Sequence, residues 1–561
     1  MNSKRLDTVA VSAGFENFPE MAIKLFLPLI NLALFAMVAI IIFLPQVPLF
    51  VGPAVFLIIA LGAISYPVIR YEMIRKDIES HLLSFITYAG TLSTMKITRQ
   101  LLFQRVAEST NFGFISHIFN KILYIAKKWT LGYSKACRKI GQSSPSRILE
   151  DFLDRLAITM DFGEELEFFL QEEQKSVFED YSVEYNKSLE TIKMLQDMFI
   201  SISISGAFAL GILLLAPLMM GISLEGVILY AGIGFILFDV LIMYLVNMFI
   251  PYDPIFHEFK TKNKNMRKVL IAFWIAMVLF PILFGSIIYF FHIEFIYAFF
   301  IAFLPFAVPG FLAQNEEQNV HQRDKNFIIY IKVLGSSIEV RNGAVIPALH
   351  ETQIHDFGIL NSLSTNVFRR LKLGNDKYRC WELFGLESGS HLIYIYSKIF
   401  SESIAMGGNA RKIGQIISTN MQSLLSLRKL RLQLKEGLRG AFYGSLVGFV
   451  ATLFVTAKIS EVMVKGFTTQ GGTGSTELSS FVNSIVPQVE TNFPMVMAIL
   501  LVVCIVHASF TSIIPKLIDG GSMFASLIDF VVMLTIIVVM YAIIPGAVEN
   551  MLPNFDSMFI E

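Results

Sequence analysis

The chain has 561 residues, of which 54% are hydrophobic and only 16% are charged, and 51 residues are phenylalanine. That apolar fraction exceeds what soluble domains usually carry, so membrane-spanning helices are the first feature to seek. The net charge is zero, and Cys137, Cys380 and Cys504 lie far apart without a CxxC pair. This composition excludes a disulfide-stapled secreted domain and gives no cysteine-rich metal site.

Nine segments are long and apolar enough to cross a membrane, because about 20 apolar residues cover roughly 30 Å of hydrocarbon. They are residues 25–44, 49–69, 198–220, 226–250, 269–291, 295–313, 441–460, 495–515 and 525–546. The first six form three helix pairs, at 25–69, 198–250 and 269–313. A second apolar run follows the first at once, which argues against a cleavable signal peptide.

Basic residues predict the orientation of these spans. The loop 251–268 has five of them and is expected to be cytoplasmic by the positive-inside rule. The five are Lys260, Lys262, Lys264, Arg267 and Lys268. The same rule places residues 70–197 and 314–440, here called the first block and the second block, in the cytoplasm together with the N-terminal residues 1–24. The segment 458–493 and the acidic tail 547–561 are expected outside.

The sequence contains an internal repeat. Moving the first half forward by 245 residues places the pair 25–69 on the pair 269–313, and the span 198–220 on 441–460. Both copies face the same way, so we expect a parallel tandem duplication rather than an inverted one. Residues 148–160 and 413–425 repeat apolar side chains at helical spacing, and strand-like alternation is scarce. Each block is therefore predicted to be an antiparallel helix bundle in an all-α polytopic membrane protein.

Matched glycines mark expected joints between helices. In "ITMDFGEELEFF" (158–169) and "SIAMGGNARKIG" (403–414) a glycine separates two helical patterns, and a glycine is suited to ending a helix. The four predicted joint glycines are Gly90, Gly163, Gly335 and Gly408.

The two blocks differ in charge. The first block has 17 basic and 18 acidic residues, with the acids concentrated in 161–180, whereas the second has 17 basic and 11 acidic residues. These charges are either solvated faces with a lipid anchor, or surfaces that dock a charged partner. The candidate docking residues are Glu164, Glu165, Glu167, Glu172, Glu173, Arg411, Lys412, Arg428, Lys429 and Arg431.

No catalytic motif stands out. The glycine-rich "GFTTQGGTGST" (466–476) lacks the lysine of a phosphate-binding loop, and its predicted place is outside. We expect no enzyme activity, cofactor, metal or nucleic-acid partner. Three ionisable residues, Asp239, His507 and Asp529, lie within spans, where such groups are costly unless paired or solvated. They predict either cross-helix hydrogen bonds or, in a transporter that uses Asp239 and Asp529, an ion relay.

Duplicated helical blocks followed by spans, together with the glycine joint "FGEEL", resemble the GspF-type (type II secretion system F domain) platform proteins. The leading helix pair, the charged loop 251–268 and the final span resemble the nine-span archaellum branch of that family. In "GGNAR" the sequence keeps Gly408 but has Asn409 where Glu164 stands in the first copy. The resemblance covers essentially the whole chain.

The resemblance implies a non-enzymatic platform in the archaeal cytoplasmic membrane. A hexameric cytoplasmic secretion-type ATPase would move the two blocks and, through short linkers, the attached spans. Those movements would insert pilin-like archaellin subunits at the filament base and turn the filament, together with other motor components. The resemblance is also compatible with a homodimer, and a related type IV pilus or secretion platform is the alternative within the family.

Overall fold

The computed structural model describes residues 18–21, 26, 51–95, 98–128, 132–220, 224–257, 264–471 and 492–551. Throughout these ranges the regular structure is helical, and the one strand-like feature is an isolated antiparallel bridge between Phe256 and Ser390. The prediction of an all-α protein is therefore confirmed for the described part of the chain.

After a short helical turn at Phe18–Met21, the described residues from 51 to 257 contain seven α-helices. They are α1 (Val51–Ser93), α2 (Arg99–Glu108), α3 (Phe114–Lys128), α4 (Gly132–Gly141), α5 (Arg147–Phe162), α6 (Leu166–Met220) and α7 (Leu224–Phe249). The helix α5 buries the apolar row from Ile148 to Met160 that its helical spacing predicts. Gly163, at φ 74°, ends this helix in the left-handed conformation that glycine adopts without strain.

Ten further α-helices lie in the described ranges after residue 257. They are α8 (Lys264–Phe291), α9 (Phe295–Phe303), α10 (Ala307–Val340), α11 (Val345–Thr352), α12 (Asn361–Lys372), α13 (Lys377–Ser388), α14 (His391–Ala405), α15 (Ala410–Gly471), α16 (Phe493–Asp519) and α17 (Ser526–Met551). The helices from α11 to α15 repeat the order of those from α2 to α6, at a spacing of roughly 245 residues. The two sets of five helices thus follow one another in the same order, as a tandem duplication of the sequence predicts.

Seven helices in the described ranges are long and apolar enough to span a membrane. They lie within Leu166–Leu214, Gly226–Phe249, Asn265–Phe291, Phe295–Val340, Ala410–Val464, Phe493–Asp519 and Met523–Met551. The predicted span 25–44 lies outside the described residues apart from Phe26, and the span 49–69 begins there and continues into α1. The total of nine spans therefore stays a prediction, as do the external positions of 472–491 and 552–561.

The spans and the blocks share continuous helices. The helix α6 has 55 residues and α15 has 62, and each runs from its block into its span without a break. The block boundaries expected at residues 198 and 441 therefore fall inside helices, and no linker separates block from span at these positions. At 1.5 Å per residue, α6 is about 80 Å long and α15 about 90 Å.

Two of the predicted joint glycines lie inside helices and do not end one. Gly90 lies inside α1 and Gly335 lies inside α10. A Cβ on Gly335 would lie 2.4 Å from the carbonyl oxygen of Ala410, and one on Gly90 would lie 2.2 Å from the side chain of Gln174. Gly335 thus lets α10 approach α15, because a larger side chain would hold the two backbones apart, whereas the neighbour of Gly90 is the amide end of the Gln174 side chain.

Candidate functional site at the junction of blocks and spans

A strap of residues 251–257 links the end of α7 to the second block. Pro251 and Pro254 lack the backbone N–H that a helix needs, so the chain leaves α7 in an extended form. The backbone N–H of Ile255 donates to the carbonyl of Gly520 at 3.1 Å, and the N–H of His391 donates to the carbonyl of Ile255 at 3.1 Å. The strap therefore ties the ends of two spanning helices to the start of α14.

Asp253 is the charged centre of this strap. Its carboxylate accepts a hydrogen bond from Nε of Arg428 at 2.7 Å, and the same guanidinium contacts Asp324 at 3.2 Å. Arg431, one turn further along α15, donates to the backbone carbonyls of Asp253 (3.0 Å) and Ile518. Both arginines are more than 95% buried. The geometry fixes the strap, α10, α15 and α16 to one another through buried charges.

A second cluster joins α10, α15 and α16. Nζ of Lys516 lies 2.7 Å from a carboxylate oxygen of Glu317 and 3.3 Å from Asp519. Asp519 also contacts Lys435 at 2.9 Å, and the backbone N–H of Ser522 donates to Glu317 at 2.7 Å. These contacts hold the loop after α16 to α10. They lie next to the apolar segments of α10, α15 and α16.

A third contact set ties α10 to the start of α14. Arg323 contacts Glu316 at 2.8 Å and donates to the carbonyl of Ser388 at 2.8 Å. The Ser390 hydroxyl donates to Asp324, and its oxygen accepts from the backbone N–H of Ile393, so Ser390 also caps α14. Side chains that compensate buried charge and cap a helix at once are sensitive to displacement of either element.

The three contact sets form a balanced group of buried charges, here called the junction network. It has five acidic and five basic members. They are Asp253, Glu316, Glu317, Asp324, Asp519, Arg323, Arg428, Arg431, Lys435 and Lys516. Removing one partner from such a group leaves a buried charge uncompensated and typically costs about 3–5 kcal/mol.

Burial and neighbouring charges set the pKa values of Asp253, in the strap, and of His391, whose backbone N–H binds the strap. Burial raises the pKa of the Asp253 carboxyl, but the charges of Arg428 and Arg431, together with the hydrogen bond from Arg428, outweigh burial and leave this pKa below its ordinary value. Burial, followed by the charge of Arg428, lowers the pKa of His391 to about 4. Asp253 therefore remains ionised and His391 remains neutral near pH 7.

The structure separates the predicted docking residues by exposure. Seven of them stay candidates for docking, of which Glu167 is half-buried and six are exposed: Glu164, Glu165, Glu172, Arg411, Lys412 and Lys429.

Three other predicted docking residues are buried and cannot bind a partner at the surface. Glu173 is 5% exposed and its carboxylate accepts from Nε of Arg155 at 2.7 Å, while Arg428 and Arg431 belong to the junction network. Spacing explains this outcome, because Arg428 and Arg431 point to the same side of α15 as Lys435, whereas Lys429 points away. In the basic run, Arg428 and Arg431 are therefore buried in the structure, and Lys429 remains on the surface.

The acidic and basic helix starts lie side by side. Nζ of Lys412 is 3.8 Å from a carboxylate oxygen of Glu167, and the Ser403 hydroxyl donates to Thr91 at 2.9 Å. The two copies thus contact each other through the elements whose charges differ. The joint in the second copy is shifted by one residue, since Gly407, at φ 87°, and not the predicted joint glycine Gly408, adopts the left-handed conformation.

Asp239 and His507 meet inside the spans. Nδ1 of His507 lies 3.0 Å from the Asp239 carboxylate, and both side chains are fully buried between α7 and α16. The rings of Phe199, Phe235 and Phe449 surround the imidazole, with ring centres 4.6–5.6 Å away. This is the cross-helix hydrogen bond that the sequence offered as one alternative.

Asp529 belongs to a different contact set. Its carboxylate lies 2.6 Å from a guanidinium nitrogen of Arg439 and accepts from the Tyr443 hydroxyl at 2.7 Å. Asp239 and Asp529 therefore have separate partners, and no contact between described residues joins them in a relay.

The fold defines a polytopic helical membrane protein, some of whose spanning helices continue well beyond their apolar segments. Two curated relatives cover most of the chain. It is 30% identical over 490 residues to flagella accessory protein J of Methanocaldococcus jannaschii, covering 86% of each sequence. It is 27% identical over 524 residues to flagella accessory protein J of Methanococcus voltae, covering 92% of this chain and 93% of that protein.

The chain belongs to the family of flagella accessory protein J, the archaellum platform proteins. It is accordingly a multi-pass membrane protein of archaellum assembly and motility. No family model matches the sequence in a scan, and no solved structure matches it.

Proposed function

We propose that this protein is the membrane platform that couples a cytoplasmic secretion-type ATPase to assembly and rotation of the archaellum filament. The ATPase would bind the two blocks from the cytoplasm, and its conformational changes would move the spans. Moving spans would transfer archaellin subunits from the membrane to the filament base. The blocks and the N-terminus would be cytoplasmic and the C-terminus external, in agreement with the basic loop 251–268.

The observation that carries the proposal is the continuity of α6 and α15. Each helix is part of a block at its N-terminal end and of a membrane span at its C-terminal end. A continuous helix transmits a tilt or a shift over its length, because its backbone hydrogen bonds resist bending. This replaces the short linkers that the family resemblance implied with rigid connections.

The junction network supports the same proposal. It joins α10, α15, α16 and the strap at the level where the apolar spans begin. Buried ion pairs have discrete arrangements rather than continuous ones, because partial separation leaves charges without compensation. Motion of α15 would therefore move α16 and the strap with it instead of sliding past them.

The proposal is tested by breaking the continuity of α6 without changing its ends. A Gly-Gly-Gly-Gly insertion after Asp197 would uncouple the block from the span. The matched control is the same insertion after Gly374, an exposed turn with φ 78°. Both variants would be expressed in cells that lack the native gene, with membrane levels checked by immunoblot.

We expect the insertion in α6 to abolish filament assembly and motility and to leave ATPase binding within twofold of the native protein. The control should assemble filaments. Normal filaments in the α6 variant would refute transmission through this helix. Loss of ATPase binding in both variants would instead indicate misfolded blocks.

A further inference from the structure

The turn between α5 and α6 exposes two phenylalanines. Phe162, the last residue of α5, is 79% exposed, and Phe168, in the first turn of α6, is 66% exposed. Ile158, one turn before Phe162 and on the same side of α5, is 40% exposed. Large apolar side chains clustered on a surface mark interaction sites more often than scattered single ones do.

Lipid does not account for this exposure. The apolar part of α6 begins near residue 198, about 30 residues after Phe168, which corresponds to a distance of about 45 Å along the helix. The phenyl rings therefore lie far from the hydrocarbon into which the other end of α6 extends.

The fold does not require aromatic side chains at this turn. Counted from the joint glycines Gly163 and Gly407, the positions in the second copy that correspond to Phe162 and Phe168 are Met406 and Lys412. The same joint is thus built without exposed rings, so the phenylalanines of the first copy have no evident structural role.

Exposed acidic side chains lie close in sequence to both phenylalanines. Glu164, Glu165 and Glu172 are exposed, and within the described ranges no lysine or arginine lies within 4 Å of their carboxylates. Asp161, next to Phe162, contacts Arg138 at 2.8 Å. The surface thus combines an apolar centre with an acidic rim that has no basic partner within 4 Å in the described ranges. A protein that binds it would need an apolar pocket bordered by basic side chains.

We propose that Phe162 and Phe168 are the apolar anchors of a docking surface, and that Glu164, Glu165 and Glu172 form its acidic rim. The partner is a cytosolic protein with an apolar pocket bordered by basic residues. Aromatic anchors contribute most of the binding energy in such surfaces, while rim charges mainly set the association rate. The inference rests on the proposed function, since the secretion-type ATPase is the partner to be tested.

The test uses the full chain in lipid nanodiscs and the purified ATPase of the same organism, loaded with a non-hydrolysable ATP analogue. The double variant Phe162→Ser/Phe168→Ser is compared with Ile354→Ser/Leu373→Ser, which removes two equally exposed apolar residues (81% and 79%) from the second block. The exposed positions should leave the thermal unfolding midpoint unchanged in both variants.

We expect the phenylalanine variant to raise the Kd at least tenfold and the control variant less than twofold. Glu164→Gln/Glu165→Gln should lower the association rate severalfold at low salt, with the difference disappearing at high salt.

Each other outcome overturns a defined statement. Native binding that the phenylalanine variant leaves unchanged would overturn this inference and leave the proposed function intact. No binding by the native chain would overturn both. If the phenylalanine variant instead dissociated a self-associated form of the chain, the surface would belong to a second copy, and the ATPase assignment would be wrong.

Discussion

Replacing Asp253 with asparagine removes the carboxylate charge at the centre of the strap while keeping the size of the side chain. Arg428 loses its closest carboxylate and keeps Asp324, at 3.2 Å. Arg431 keeps the backbone carbonyl of residue 253, because the substitution leaves the backbone unchanged. The cost of breaking a buried ion pair from one side is about 3–5 kcal/mol, and the remaining carboxylate places the expectation at the lower end, near 3 kcal/mol. That is roughly a 150-fold change in the unfolding equilibrium.

The assay measures the free energy of unfolding in detergent. Unfolding is monitored by the chemical modification of Cys380, a residue of the second block that is 1% exposed in the folded protein. The matched control is Glu351→Gln, which removes an acid from the surface pair with Arg341, where both side chains are nearly half exposed. Surface pairs contribute far less than buried ones, because water screens their charges. If Asp253→Asn cost no more than Glu351→Gln, the junction network would not be the rigid connection described above.

Three further predictions concern stability in the same detergent. First, His391 is neutral when folded, with a pKa of about 4 against about 6.5 unfolded, so its contribution is complete above pH 6.5 and is lost as the pH falls toward 4. Native protein should therefore lose about 2 kcal/mol more than His391→Gln between pH 7 and pH 5, and equal losses would refute this. Second, Gly335→Ala should cost about 1–3 kcal/mol because of overlap with Ala410, whereas Gly437→Ala, which has open space, should gain up to about 1 kcal/mol of helix stability. Equal unfolding midpoints would contradict the close helix approach. Third, the double variant Asp239→Leu/His507→Leu should be more stable than Asp239→Leu or His507→Leu alone, since each single change leaves a buried polar group without its partner. A double variant whose loss equals the sum of the two single losses would show that the pair is not coupled.

The sequence predicted features that depend on local pattern. Apolar length predicted the seven spans that the described residues contain, helical spacing predicted the buried face of α5, and Gly163 predicted a helix end. Each of these depends on residues that are close together along the chain, so no knowledge of the tertiary fold is needed.

Features that depend on distant contacts were missed. Asp253 and Arg428 are 175 residues apart, and Lys516 and Glu317 are 199 residues apart, so their pairing follows from the fold and not from local pattern. One signal was available, because Arg428 and Lys435 are seven residues apart on the side of α15 that also presents Arg431. A basic run that faces solvent has no reason to keep that spacing.

Helix continuity was missed for a different reason. Charged residues in 166–197 and apolar residues in 198–220 suggested separate elements, yet both compositions suit a helix when water surrounds one part and lipid the other. A change of composition therefore marked a change of solvent and not a change of secondary structure.

The most direct test of the central claim measures whether a motion of the first block reaches its span. One pair of spin labels would replace the exposed residues Glu190 and Gln422, in the blocks, and a second pair would replace the exposed span residues Ile212 and Met495. Distances would be measured by electron spin resonance in nanodiscs, with and without the ATPase and a non-hydrolysable ATP analogue. The account predicts that both distances change together and that a glycine insertion after Asp197 abolishes the change in the span pair alone. A shift between the blocks that leaves the distance from residue 212 to residue 495 unchanged in the native chain would contradict it.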